Sequence, residues 1–222
     1  MAQPKVVRLA PKGPAGKGME RWEDIPQSSL AAGEPVQHGH SYFEDKARGL
    51  SVGVWDCTAM TTKLAPYPVN EFMVLLEGEV TIVDAAGRET TVKAGESFLL
   101  PKGLPCIWRQ TGYVRKYYVI FDDASGLKPS DPSALKVQRP DPKAKLEQTE
   151  SPSPKLLNGP MPMQHGKDYF EDVSGQWTVG VWDSSAYHRK TIDFPRHELM
   201  HILEGEVTIT EEGFPPQTFK AG

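Results

Sequence analysis

The chain contains part of itself twice. Residues 37–95 align with residues 164–222 at a constant offset of 127 without a gap, and 28 of the 59 aligned positions are identical. The matched blocks are "QHG..YFED", "VGVWD", "LEGEVTI" and "KAG". A repeat of this length constrains the fold more than any local pattern, because one architecture has to satisfy both copies. Residues 124–163, between them, carry eight prolines in forty along with Ser, Lys and Asp. Such a stretch sustains neither a helix nor a central strand, which predicts an extended connector. The expected organisation is an N-terminal arm at 1–36, a first domain at 37–123, a Pro-rich linker at 124–163 and a second domain at 164–222.

Within each copy the pattern is that of strands. "LSVGVWD", "EFMVLLEGEVTIVD", "TTVKAGESFLLP" and "RKYYVIFD" are short runs rich in Val, Ile, Thr, Tyr and Phe, punctuated by Gly, Pro or Asp. No window keeps helical periodicity for the roughly 10 to 12 residues a helix needs. An all-β barrel or sandwich follows. With 38% hydrophobic residues and 9% aromatics, 222 residues are enough for a packed core. The net charge of −4, from 25 basic and 29 acidic residues, gives no footprint for nucleic acid or an anionic membrane. Neither a signal peptide nor a membrane-spanning apolar run is evident, so the expectation is a soluble cytoplasmic protein. Cys57 and Cys106 are expected to be reduced thiols rather than a disulfide framework.

One motif pulls the other way. "FPRHELMHILEGEVTI" contains His197-Glu198-Leu199-Met200-His201, the H-E-x-x-H pattern of zinc proteases, which works only on a helix. Pro195 and Gly205 leave little room for one. The internal twin "YPVNEFMVLLEGEVTI" is strand-like and lacks both histidines. On a strand the two histidines would lie about 13 Å apart, too far to share one ion. The protease reading is therefore set aside, and His197 and His201 are expected at a surface or interface. His38, His165 and His188 are expected to be solvated, and Trp55 and Trp182, repeated at equivalent positions, to anchor cores.

The first copy also carries Glu71 seven residues before Gly78, and later "GESFLLPKGLPCIWRQTGYVRKYY" with Gly95, Pro101, Gly103 and Cys106 spaced as Gly-x5-Pro-x-Gly-x2-Cys. These residues resemble the two motifs of the cupin superfamily, whose second motif ends in His where Cys106 stands. "GVWD", "LEGEVTI", "LPKGLPCIW" and "VRKYY" are similar to the subgroup that includes ureidoglycine aminohydrolase and the ethanolamine-utilisation cupins. The resemblance implies two tandem double-stranded β-helix (jelly-roll) barrels, a bicupin, packed as an internal pseudo-dimer. Cupins of the metal-binding kind use four inward-facing ligands, and the matching positions here are Ala65, Tyr67, Glu71 and Cys106. In the second copy they are Ile192, Phe194 and Glu198. The common metal site is thus expected to be absent from both copies and the cofactor is unknown, although an unusual Tyr67/Glu71/Cys106 site stays open.

Trp108 should share the inward face of Cys106, so Tyr67, Glu71, Cys106 and Trp108 form the expected ligand-binding wall. Arg115 or Lys116 is expected to bring a cation to it, since strand alternation sends only one of them inward. Three readings follow: a metal-free pocket for a small polar metabolite, a cytosolic enzyme on a small nitrogenous or carboxylic metabolite, or an assembly role without pocket chemistry. After Gly95 the first copy continues for 27 residues, through "VIFD", that the second lacks. Unpaired edges and open apolar faces at that point predict that the natural chain continues for roughly 15 to 30 residues.

Overall fold

The expected arm and the first domain together form twelve strands: β1 (Glu20–Arg21), β2 (Leu30–Ala32), β3 (Gln37–Asp45), β4 (Leu50–Cys57), β5 (Met60–Thr62), β6 (Ala65–Pro66), β7 (Asn70–Glu77), β8 (Glu79–Asp84), β9 (Glu89–Lys93), β10 (Ser97–Leu100), β11 (Pro105–Gln110) and β12 (Val114–Phe121). The computed structural model describes residues 5–123, 125–127, 129 and 131–222; the start of the expected arm and three linker positions lie outside the described residues. One sheet has the order β1-β3-β4-β12-β7-β10, and the other runs β2-β5-β11-β8-β9 with β6 also on β11. The strand pairs are antiparallel. The all-β, jelly-roll expectation holds.

The two sheets enclose one core. From the first sheet come Trp55, Met73, Leu75, Phe98 and Val114, and from the second Val80, Ile82, Val92 and Trp108, all buried. β7 and β8 are joined at Gly78, whose φ of +81° and a would-be Cβ 2.1 Å from the Tyr113 carbonyl oxygen leave space for no side chain. This is the turn inside "LEGEVTI", and Gly205 repeats it with φ +75°.

By Cα packing the chain divides into two compact units: Arg8–Pro140 with Phe170–Val179, and Met1–Val7 with Asp141–Tyr169 and Gly180–Gly222. Within the first, Trp177 stacks on Phe121 at 6.1 Å. β13 (Glu147–Gln148), from the expected linker, joins β14 (Gln164–Glu171) and β15 (Thr178–Ser184) of the second copy in one sheet, and β16 (Glu206–Ile209) pairs with β17 (Gln217–Lys220) in another. The offset of 127 extends beyond the aligned sequence blocks. Glu147 and Gln148 pair with Gly166 and His165, as Glu20 and Arg21 pair with Gly39 and His38. The single-turn helices Gln27–Ser29 and Pro154–Leu156 also correspond. The pair His38 Nδ1–Asp56 Oδ1 at 3.0 Å recurs as His165 Nδ1–Asp183 Oδ1 at 2.8 Å.

The second copy departs from its twin in one respect. Residues 191–203, including His197, Glu198 and His201, form neither helix nor strand. In the first copy the equivalent β7 is flanked by β10 and β12, which satisfy its backbone on both sides. Among the described residues no strand pairs with this segment of the second copy. Trp55 is buried, at 7% exposure, as expected, whereas Trp182 is 56% exposed rather than set in a core. Among the described residues no helix is long and apolar enough to cross a membrane.

Candidate functional site

Alternation decides which side chains of the first sheet face the barrel interior. On β12, Val114, Lys116 and Tyr118 point inward, and on β7 Glu71, Met73 and Leu75 do so. Arg115 instead turns outward, where it pairs with Glu77 at 3.1 Å and donates to the Tyr113 hydroxyl. On β3 the parity changes midway. Ser41 pairs with Gly53, but Phe43 pairs with Val52 and Glu44 with Ser51, so Tyr42 is an extra residue in a β-bulge. The bulge puts Glu44 rather than Phe43 on the face that Ser41 occupies.

Lys116 organises the interior. Its ammonium lies 2.7 Å from Glu71 Oε1 and 3.1 Å from Met73 Sδ. It stands 4.8 Å from the ring centroids of both Trp55 and Trp108, which meet edge to face at 87°. Two perpendicular indoles and a carboxylate thus replace the water that a buried ammonium loses. The Tyr67 hydroxyl donates to the other oxygen, Glu71 Oε2. Burial first, then the adjacent Glu71 charge, pushes the Tyr67 phenol well above its ordinary range, which keeps it a donor. Trp108 donates its indole N–H to Gln110 Oε1 at 2.7 Å, and Gln110 is in turn anchored on the Cys57 and Thr58 carbonyls.

Beside this cluster lies a cavity of about 480 Å³. Trp55, Glu71 and Lys116 form its inner wall, Tyr118 and Ser41 continue it, and Trp22, Glu44, Ser51 and Ile120 complete the lining. The Tyr118 and Ser41 hydroxyls are 3.2 Å apart. Tyr118 is pushed upward mainly by burial, with Glu71 and Glu44 adding negative charge near its hydroxyl. Two glycines make the aromatic walls fit. A Cβ on Gly39 would lie 2.2 Å from the Trp22 ring, and one on Gly53 would lie 2.4 Å from the Tyr118 hydroxyl.

Of the residues singled out in the sequence, Glu71 faces the cavity, while Tyr67 and Trp108 stand behind it and touch Glu71 and Lys116. Cys106 is buried on β11 opposite Ala65, and burial pushes its thiol up to about 11, so it stays protonated at neutral pH. Lys116 is the inward member of the pair considered from alternation. Trp22, Ser41, Glu44, Ser51, Tyr118 and Ile120 were not legible as lining. Tyr118 and Ile120 follow from the parity of Lys116, but the Tyr42 bulge hides Glu44 from any such count.

The side chains present do not fit a divalent ion of the cupin type. Ala65 has no donor atom, both Glu71 oxygens are engaged by Lys116 and Tyr67, and the ammonium already supplies the positive charge there. Among the described residues no three His, Cys, Asp or Glu side chains converge as a ligand set.

Residues 44–118 match the family described as the EutQ-like cupin domain. A search of curated proteins finds no match. Among solved structures, a DUF861-family protein of unknown function from Pseudomonas syringae pv. tomato is 33% identical over 46% of this chain and 43% of that one, with a TM-score of 0.44. This chain thus spans less than half the length of that relative. A DUF861-family protein from Thermotoga maritima is 31% identical over 31% of this chain and 76% of that one, with a TM-score of 0.29. The EutQ protein of Clostridium difficile is 20% identical over 46% and 81% of the two chains, with a TM-score of 0.35. With motif residues, matched domain and all-β fold in agreement, residues 44–118 of the chain are a cupin domain.

Proposed function

We propose that the chain is a bicupin whose first barrel binds a small polar metabolite without a metal. The observation that carries this reading is the cavity of about 480 Å³, a size typical of small-ligand sites, with Glu71, Lys116, Tyr118 and Ser41 converging on it between indole walls. The Lys116 ammonium supports a metal-free pocket, because it neutralises the carboxylate that a metal would need. A thermal-shift and calorimetric screen against amines, ureides, sugars and small carboxylates tests the proposal. Binding that is lost in Tyr118→Ala is expected; the absence of binding by every class would favour an assembly role instead.

A second reading is favoured by the Tyr67–Glu71–Lys116 chain, which links a cavity-facing carboxylate to a phenol and an ammonium. In it the barrel is an enzyme acting on a small nitrogenous or carboxylic metabolite, with Glu71 moving the proton. Turnover of ureides or amides followed by NMR, abolished in Glu71→Gln, would establish it; binding without turnover would leave the first reading.

A further inference from the structure

Resting on the small-molecule reading above, we infer that the cavity of the first barrel selects a small organic cation, an alkylammonium or guanidinium group, with Glu44 as its counter-charge. The charge balance of the lining is the first ground. Glu44, Glu71 and Lys116 are its charged side chains, which leaves one net negative charge.

The second ground is how those charges are spent. Glu71 and Lys116 neutralise each other at 2.7 Å, with side chains only 7% exposed, and the ammonium is turned onto Trp55, Trp108 and Met73. An anionic ligand would therefore have to break a buried ion pair to find a cation. The Glu44 side chain, by contrast, belongs to an exposed residue and makes no hydrogen bond or ion pair among the described residues.

The third ground is the wall chemistry. The remaining lining includes the Trp22 indole and the Tyr118 phenol, which meet edge to face at 6.2 Å. Indole faces attract organic cations, and most strongly where water is excluded. The Ser41, Ser51 and Tyr118 hydroxyls offer acceptors for N–H groups. Carboxylate, aromatic walls and hydroxyl acceptors all favour the same ligand charge.

Isothermal titration calorimetry on the full chain tests this with tetramethylammonium, ethylammonium and methylguanidinium, set against acetate, malonate, glycerol and urea. Binding of at least one cation is expected, weakened about fivefold in Glu44→Gln, the upper range for a partly exposed ion pair. Trp22→Leu should weaken it as well, whereas Glu79→Gln, the same charge change on the other sheet, should leave it unaltered. If acetate, malonate, glycerol or urea binds and the cations do not, the cation inference fails while the small-molecule reading survives. If cations bind equally well to Glu44→Gln and Trp22→Leu, the assignment to this cavity is overturned. If no compound of any charge binds, the small-molecule reading fails with it.

Discussion

Lys116 sits opposite Leu75 in the ladder between β12 and β7, yet its ammonium reaches Glu71, four residues further along β7, by running over Met73 to a contact of 2.7 Å. Removing one member of a buried ion pair leaves the other without compensation, at a cost of about 3–5 kcal/mol. Lys116→Met should destabilise the chain by that order in urea denaturation. The double variant Glu71→Gln/Lys116→Met should cost less than the sum of the two single changes. Simple additivity would show that the two side chains are energetically independent.

Tyr67→Phe keeps the ring but removes the donor to Glu71 Oε2. An enclosed carboxylate oxygen that loses its partner costs about 1–3 kcal/mol. Equilibrium unfolding should show a loss in that range, and the loss should shrink when Glu71→Gln is already present.

At Gly39 and Gly53 a methyl group has nowhere to go. In Gly39→Ala the new Cβ meets the Trp22 ring at 2.2 Å, and in Gly53→Ala it meets the His40 carbonyl oxygen and the Tyr118 hydroxyl, each at 2.4 Å. Overpacking of this kind costs about 1–3 kcal/mol. Adding Trp22→Ala should recover stability in Gly39→Ala, because its clash is with a side chain. No single side-chain truncation should rescue Gly53→Ala, since backbone stands in its way. Melting temperatures of Gly39→Ala, Gly39→Ala/Trp22→Ala, Gly53→Ala and Gly53→Ala/Tyr118→Ala decide the matter.

The two thiols make the fold sensitive to alkaline pH. Burial pushes Cys57 and Cys106 from an ordinary 9.0 up to about 11 each. The unfolded chain therefore releases these protons at a lower pH than the folded chain does. Their contribution to stability is fully present below about pH 9 and is lost as pH rises through about 11. Tyr67, raised mainly by burial, acts with the same sign at higher pH. Denaturation midpoints at pH 8, 9.5 and 11 should fall steadily, and Cys57→Ala/Cys106→Ala should flatten the first part of the decline. Both thiols should resist alkylation at pH 8 until the chain unfolds.

The repeat and the β-strand runs were legible because side-chain alternation and turn glycines are local properties, and Glu71 was legible by its place before the Gly78 turn. Lys116 was half legible: alternation says that one of Arg115 and Lys116 points inward, but only the ladder between β12 and β7 decides which. Trp22 comes from outside the aligned blocks and reaches the cavity because β1 adds to the edge of the first sheet beside β3. Cys106 and Trp108 share the buried face of β11, yet neither lines the cavity: Trp108 lies against the Lys116 ammonium and Cys106 is buried opposite Ala65. For the segment 191–203, strand propensity was visible, but a strand also needs neighbours, and neighbours are not a local property.

The bulge at Tyr42 makes the acidity of the cavity depend on backbone pairing. If Tyr42 joined the ladder instead of bulging, it would face Val52 and Phe43 would face Ser51, which carries Phe43 to the interior in place of Glu44 with no change in the identity of either side chain. Whether one residue is bulged or paired is thus a switch between a charged mouth and an apolar one that leaves the core unchanged.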